Sequence, residues 1–274
     1  MPPSRPKAPG ARATRGRPFP QQSPAAQAGR EAILGHNQVK AALMARPGDC
    51  LDLMVSSARR PSPSLAELLA LAAAAGLEPL VVPPERLDRL GQRHQGLALL
   101  ARPKREPQLA EFLASRPSPA PALILVLGNV EDPHNFGALM RSAAAFGAQG
   151  LVVPRDRSAP LSPAARSAAA GGAEILPLVR VVNLKRALGE MKKAGFWVVA
   201  AEAGQGQGAG GFDYPPRSVL LLGSEGKGLG PALSSEADLW VHVDLEPGPV
   251  DSLNVSNAGA ILMHGYRMAL AGRR

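Results

Sequence analysis

One cysteine, Cys50, stands in a chain of 274 residues. Its solitude excludes an internal disulfide and a thiolate metal site, and it points to a reducing compartment, the cytoplasm. Cys50 itself reads as a small, buried or half-buried hydrophobe. Long apolar runs are missing too. The longest stretches, such as Leu68 to Leu77 and Leu123 to Leu127, fall short of the roughly 18 to 20 residues that a helix needs to cross a bilayer. No membrane span is expected. No metal site is visible either, and His94 and His134 lack the second histidine or carboxylate that would mark a general base, so both read as turn or structural residues.

Acidic residues are absent from the first thirty positions, where Arg5, Lys7, Arg12, Arg15, Arg17 and Arg30 supply six of the nine net positive charges. That stretch is rich in Pro, Ala and Gly and has almost nothing to bury, so residues 1–29 are expected to form a disordered basic tail. Its charge fits a solvated extension and an arm that grips RNA phosphates equally well. A transit peptide ranks third, because the prolines oppose the amphipathic helix such a signal needs.

A hydrophobic share of 45% allows real cores, in one large or two small domains. From Glu31 the pattern is regular: "HNQVKAALMAR" and "SLAELLALAAAAG" have helical spacing, whereas "LDLMVS", "LEPLVV" and "QGLALLAR" read as strands. These segments predict a small α/β domain over residues 30–103. Five prolines from Pro103 to Pro121 and mixed charge then mark residues 104–120 as a linker with one helical turn near Leu109 to Leu113.

The remainder, residues 121–274, alternates strand and helix. "LILVLGNV" is a continuous apolar run suited to a strand buried on both faces. After it come the helix around "DPHNFGALMRSAAAFGA", then "GLVVP", "SPAARSAAAGG", "ILPLVRV", "NLKRALGEMKKAG", "FWVVAAEA", "SVLLLGSE", "WVHVDL" and the final helix "NVSNAGAILMHGYRMALA". Such alternation predicts an α/β domain built on a parallel sheet, with ligands at the carboxyl ends of its strands.

Three loops at those ends invite comparison with nucleotide fingerprints. Gly206, Gly208 and Gly211 satisfy G-x-G-x-x-G, but "FDYPPRS" follows where a dinucleotide site needs a helix. "GSEGKGLG", residues 223–230, has Gly228 where a P-loop needs Ser or Thr. It does place Glu225 and Lys227 among four glycines that permit close backbone approach. In "EPGPVDSLNVSNAGA", Ser252, Asn254 and Ser256 are candidates for capping the last helix.

Taken in order, "NVEDPHNFGALMRSAAAFGA", "LLLGSEGKGLG" and "VDSLNVSNAGA" resemble the three motifs of the SpoU (TrmH) family, the S-adenosylmethionine-dependent RNA ribose 2′-O-methyltransferases of the SPOUT class. The likeness spans about residues 121–271. The preceding domain, with "ILGHNQVKAAL" at its start and "HQGLAL" at its end, resembles the ribosomal-protein-like RNA-binding domain of RlmB-type 23S rRNA enzymes.

The resemblance implies a deep trefoil knot, a homodimer, and a bent S-adenosylmethionine held largely by backbone groups at Gly223, Val243 and Leu253. One extra residue in "DLEPGPVD" makes Leu245 the alternative to Val243. It implies Arg141 as the catalytic residue, with Asn135, Glu225, Ser252 and Asn254 as its polar partners. A helix starting at Asn135 would bring Arg141, six residues on, near the cofactor pocket. A guanidinium hardly ever loses its proton, so Arg141 is read as stabilising the developing ribose alkoxide, against the alternative of an interface salt bridge. Glu225 and Asn254 are expected to order the knot and Arg141, Ser252 to lie nearer the ribose or cofactor, and Lys227 to touch RNA phosphate, with a solvated side chain as its alternative. The implied substrate is a guanosine of 23S rRNA. Another rRNA nucleotide, a tRNA, or RNA binding without turnover are the alternatives.

Overall fold

The computed structural model describes residues 29–224, 228–250 and 252–273. The basic tail, apart from Gly29, and the candidates Glu225 and Lys227 lie outside the described residues.

The first domain runs β1 (Glu31–Leu34), α1 (His36–Ala45), β2 (Cys50–Ser56), α2 (Pro63–Ala74), β3 (Leu80–Val82), α3 (Pro84–Asp88) and β4 (Leu97–Ala101). Its sheet has the order β1-β4-β2-β3, with β4 antiparallel to both neighbours and β3 parallel to β2. Helix α2 starts where Ser62 accepts a hydrogen bond from the Leu65 amide at 3.2 Å, with Pro63 at the first helical position. It buries Leu65, Leu68 and Ala72, one helical stripe, against Leu53, Leu97 and Leu99 of the sheet. Cys50 is buried in the same core. Strand β1 escapes sequence reading because "EAIL" is too short to show alternation; pairing with β4 defines it.

The connecting segment is more ordered than its prolines suggest. It contains α4 (Leu109–Ala114), whose Leu109 and Phe112 are buried in the second domain's core. Arg217, itself buried, donates to the carbonyl oxygens of Arg116, Pro117 and Ala120 at 2.9–3.3 Å and to that of Ala194 at 3.1 Å. One guanidinium thus ties the connector to the sheet.

The second domain continues with β5 (Ala122–Leu127), α5 (Pro133–Ala145), β6 (Gly150–Pro154), α6 (Pro163–Ala169), α7 (Gly172–Ile175), β7 (Leu178–Val181), α8 (Leu184–Lys193), β8 (Trp197–Ala201), β9 (Gln207–Gly208), β10 (Arg217–Leu222), α9 (Pro231–Ser234), β11 (Leu239–His242) and α10 (Val255–Ala271). Its seven strands pair in the order β7-β6-β5-β10-β8-β11-β9, all in parallel. Every residue of β5 and of β10 is buried, as expected of strands covered on both faces. Alternate residues feed opposite cores: Leu123, Leu125 and Leu127 pack on one side, Ile124 and Val126 on the other. Two details differ from the sequence reading. Ile175 closes α7 instead of opening a strand, and Gln207–Gly208 add an edge strand on β11 before a 3-10 turn at Ala209–Gly211. No helix follows those glycines directly.

Opposite charges join the domains. Glu31 and Arg46 of the first and Arg166 and Glu174 of the second form a closed ring. Arg46 bonds to Glu31 and Glu174 at 2.6 Å each, and Arg166 to the same two carboxylates at 2.7 Å each. Glu174 is 2% exposed. Burial alone would lower the Arg46 pKa, but the two glutamates outweigh it and raise it. Beside the ring, the Lys104 ammonium donates to the carbonyl oxygens of Ala173, Glu174 and Leu176 at 2.7–2.9 Å, closing the C-terminal end of α7. Burial pushes the Lys104 pKa down to about 8.

Candidate active site

The loops at the carboxyl ends of the strands build the site. Leu222 ends β10, and the chain turns at Gly223. A Cβ on Gly223 would lie 2.4–2.7 Å from the backbone of Gly228 and Leu229, so only glycine lets the loop fold back on itself. Ser224 and Gly228 then bond to each other through both amides at 3.1 Å, with Gly228 at φ +61°. The two ends of the glycine loop are thereby pinned together.

That loop forms one wall of a cavity of about 690 Å³ at the ends of β8, β10 and β11. All four residues singled out for the cofactor, Gly223, Val243, Leu245 and Leu253, line it, and so do Ser252 and Asn254. Both registers weighed for the strand-end contact, Val243 and Leu245, are therefore at the wall. Apolar side chains dominate elsewhere, including Leu222, Val241 and Leu262, and Glu202 and His242 add polar groups. The volume and mixed lining suit a small-molecule ligand with an apolar body and a few fixed polar contacts. Glu202 and His242 escape sequence reading, since neither lies in a motif; only their position at strand ends could have drawn attention to them.

Helix α5 meets this wall at its N-terminus. Asp132 caps it, its carboxylate accepting from the His134 and Asn135 amides at 3.3 and 3.0 Å. The helix therefore begins at Pro133, two residues before the start assumed from sequence. Asn135 is buried, and its side-chain oxygen accepts from the Asn254 amide group at 2.9 Å. Asn254 in turn caps α10, accepting from the Ser256 amide at 2.8 Å and its hydroxyl at 2.5 Å. A second, smaller cavity of about 400 Å³ lies beyond this pair and shares Ser224 and Val255 with the first.

Arg141 is not brought to either cavity. It is exposed on α5 and absent from both linings. Six residues along a helix turn the side chain by roughly 240° and advance it about 9 Å. The face of α5 that presents Asn135 to the cavity thus directs Arg141 elsewhere, correcting the expected proximity. His134 is exposed and its own amide is taken up by the cap. His94 accepts from the Gly96 amide and bonds Asp88, a turn role. Among the described residues no group of three His, Cys, Asp or Glu could hold a metal ion, and no helix is long and apolar enough to cross a membrane.

Known proteins match this architecture in both halves. Residues 122–264 match the SpoU rRNA Methylase family, and residues 32–107 match the RNA 2′-O ribose methyltransferase substrate-binding family. A tRNA/rRNA methyltransferase of Mycolicibacterium smegmatis is 35% identical over 94% of this chain and 83% of its own length. The 23S rRNA (guanosine-2′-O-)-methyltransferase RlmB of Pseudomonas putida is 36% identical over 85% of this chain and 94% of its own. The crystal structure of the SpoU methyltransferase AviRb of Streptomyces viridochromogenes with AdoMet superposes with a TM-score of 0.71 at 23% identity, covering 92% of this chain and 96% of that one. The first of these matches spans more than half the chain and takes in the glycine loop, α5 and the start of α10, so this protein belongs to the SpoU family of RNA methyltransferases.

Proposed function

We propose that this protein methylates a ribose 2′-hydroxyl in RNA, a guanosine of 23S rRNA, with S-adenosylmethionine as donor. The observation that carries the reading is the convergence of Gly223, Val243, Leu245, Ser252, Leu253 and Asn254 on one cavity. The substrate assignment follows the Pseudomonas putida relative, which acts on a 23S rRNA guanosine by its name. A tRNA is the second reading, favoured by the mycobacterial relative's description as a tRNA/rRNA methyltransferase.

The chemistry of the wall fits the cofactor. Val243, Leu245 and Leu253 offer apolar contact to a purine, Gly223 presents bare backbone at the wall, and Glu202 supplies a carboxylate. S-adenosylmethionine, when bound, contributes an electrophilic sulfonium methyl. The residues of the chain orient the ribose and manage its proton. Ser252 lies on the wall where it can meet the ribose or cofactor. Glu225, whose side chain is not described, is assigned to ordering the glycine loop, and Lys227 to RNA phosphate.

Arg141 is assigned to stabilising the ribose alkoxide as its proton leaves, because a permanent guanidinium can do this without itself titrating. Its exposed place outside the cavity of its own chain gives the homodimer a function, that of bringing a second chain's site to it. Ile261 and Met268, 42% and 57% exposed and seven residues apart on α10, give such a dimer an apolar stripe. The parallel sheet with β8 inserted between β10 and β11 is compatible with a trefoil knot, which we assign together with the family. Residues 30–103 are taken as the RNA-binding domain, 104–120 as connector and 121–274 as the catalytic domain, acting in the cytoplasm.

Tritium transfer from labelled S-adenosylmethionine to bulk rRNA and to bulk tRNA, with Arg141→Ala alongside, tests the reading. Label in rRNA that disappears in the variant is expected. Label confined to tRNA moves the substrate, and label in neither overturns the enzymatic reading.

A further inference from the structure

The smaller cavity lies at the ends of β5 and β6, next to the proposed cofactor site. Its polar lining comes from Asn129, Glu131 and Asp132 in the loop after β5, Asn135 in the first turn of α5, Arg157 after β6 and Ser224 of the glycine loop. About 400 Å³ is near the lower end of the range for small-molecule sites and suits one nucleobase with part of its sugar. Because Ser224 and Val255 belong to both cavities, a ligand in one adjoins a ligand in the other.

Not all of these groups are available to a ligand. Asp132 is spent on the cap of α5 and Asn135 on Asn254. Glu131 and Arg157, by contrast, are exposed, and they form no ion pair with each other or with any other described residue. Opposite charges lining one cavity without pairing leave an acceptor and a donor open to a third party. The backbone is specialised here as well. Asn129 has φ +59° and Arg157 φ +57°, so two of the five left-handed non-glycine residues of the described chain line this one cavity. Such a conformation is unusual for arginine in particular, and strain of this kind gathers at ligand sites.

Among the four bases, only guanine matches this pair with two contacts on each side. Its N1–H and N2–H₂ form a donor edge that one carboxylate can accept from twice, and its O6 and N7 accept from an arginine fork. Adenine would turn the lone pair of N1 toward the carboxylate. Cytosine and uracil lack two adjacent donors on the pairing edge.

Building on the methyltransferase reading above, we propose that Glu131 and Arg157 select guanosine by holding its base in this cavity, with the ribose directed across the shared wall of Ser224 and Val255. They are specificity-determining residues outside the cofactor cavity.

The test uses the full-length protein, S-adenosylmethionine and unmodified 23S rRNA transcribed in vitro. Digestion to nucleosides and mass spectrometry identify the methylated nucleoside for wild type, Glu131→Gln and Arg157→Ala. Calorimetry of S-adenosylmethionine binding and thermal melting serve as controls for folding. Wild type is expected to yield 2′-O-methylguanosine alone. Each variant should lower kcat/KM about 10- to 100-fold, the size of one lost charge-assisted contact, with cofactor affinity and melting unchanged. Inosine at the mapped position, which lacks the N2 amino group, should slow wild type by a similar factor and Glu131→Gln much less.

Wild-type methylation of a nucleoside other than guanosine, or full activity in both variants, overturns this assignment and leaves the methyltransferase reading intact. Absence of methylation of 23S rRNA by wild type overturns the 23S rRNA assignment and this one with it; absence on bulk tRNA as well overturns the methyltransferase reading.

Discussion

The side-chain amide of Asn254, at the start of the last helix, donates to the side-chain oxygen of Asn135, at the start of α5, at 2.9 Å. The partners are separated by 119 residues in sequence. One amide thus registers two helix N-termini against each other at the boundary between the two cavities.

Breaking this link is expected to cost more than a surface hydrogen bond. Asn254→Ala removes the cap of α10 and the hydrogen bond it donates to the buried Asn135, a loss of about 2 kcal/mol or more from the two effects together. Asn135→Ala should cost less, because Asn254 keeps its capping bonds to Ser256. Urea unfolding of both single variants and the double variant gives the coupling. Strict additivity would show that the pair contributes nothing as a pair.

Gly223→Ala should abolish cofactor binding while leaving the first domain folded. The added methyl meets backbone atoms of Gly228 and Leu229 at 2.4–2.7 Å, which no rotamer change can relieve. Calorimetric titration with S-adenosylmethionine checks this. Wild-type affinity in the variant would mean that the loop is not closed in the binding state.

Glu174→Ala removes the buried one of the two carboxylates that Arg46 and Arg166 share at the domain seam and leaves both half-buried guanidiniums on Glu31 alone. Loss of about 2 to 3 kcal/mol is expected, below the usual cost of a broken buried ion pair because Glu31 still pairs both guanidiniums. Chemical denaturation should also resolve into two transitions as the domains uncouple. A single transition at the wild-type midpoint would count against the ring.

Lys104 gives the seam a pH signature. Its pKa in the folded chain, about 8, lies below the ordinary 10.5 because burial disfavours the ammonium. Between those values the unfolded chain holds a proton that the folded chain has released, so this group makes stability rise with pH, by up to about 1.4 kcal/mol per unit. Below about pH 8 both states are protonated and the contribution levels off at its cost. Lys104→Met removes the contribution. Urea midpoints at pH 7.5 and 9.5 should therefore rise more in wild type than in the variant.

Much of this molecule was legible in its residues, and the exceptions have physical causes. Strands such as Ala122–Leu127 and Arg217–Leu222 announce themselves because burial on both faces demands unbroken apolar runs. The cavity wall was readable because close-packed loops need particular residues, Gly223 above all. What stayed hidden depends on partners distant in sequence. Strand β1 exists through β4, and the connector's order comes from Arg217, about a hundred residues away. Arg141 was recognisable as a residue, but its direction was not, because a shift of reference along a helix changes which face a side chain occupies. Glu31, Arg46, Arg166 and Glu174 resembled ordinary surface charges until the fold closed them into a ring.

That ring constrains how relatives of this protein could exchange parts. A gene fusion that joined this first domain to another second domain would cut between Arg46 and Glu174, which are 128 positions apart and meet only in the finished structure. Unless the new half carried a glutamate and an arginine at the matching places, the hybrid would inherit unmatched charges at its joint. New RNA targets would then arise more readily through changes at loop tips than through swapping whole domains.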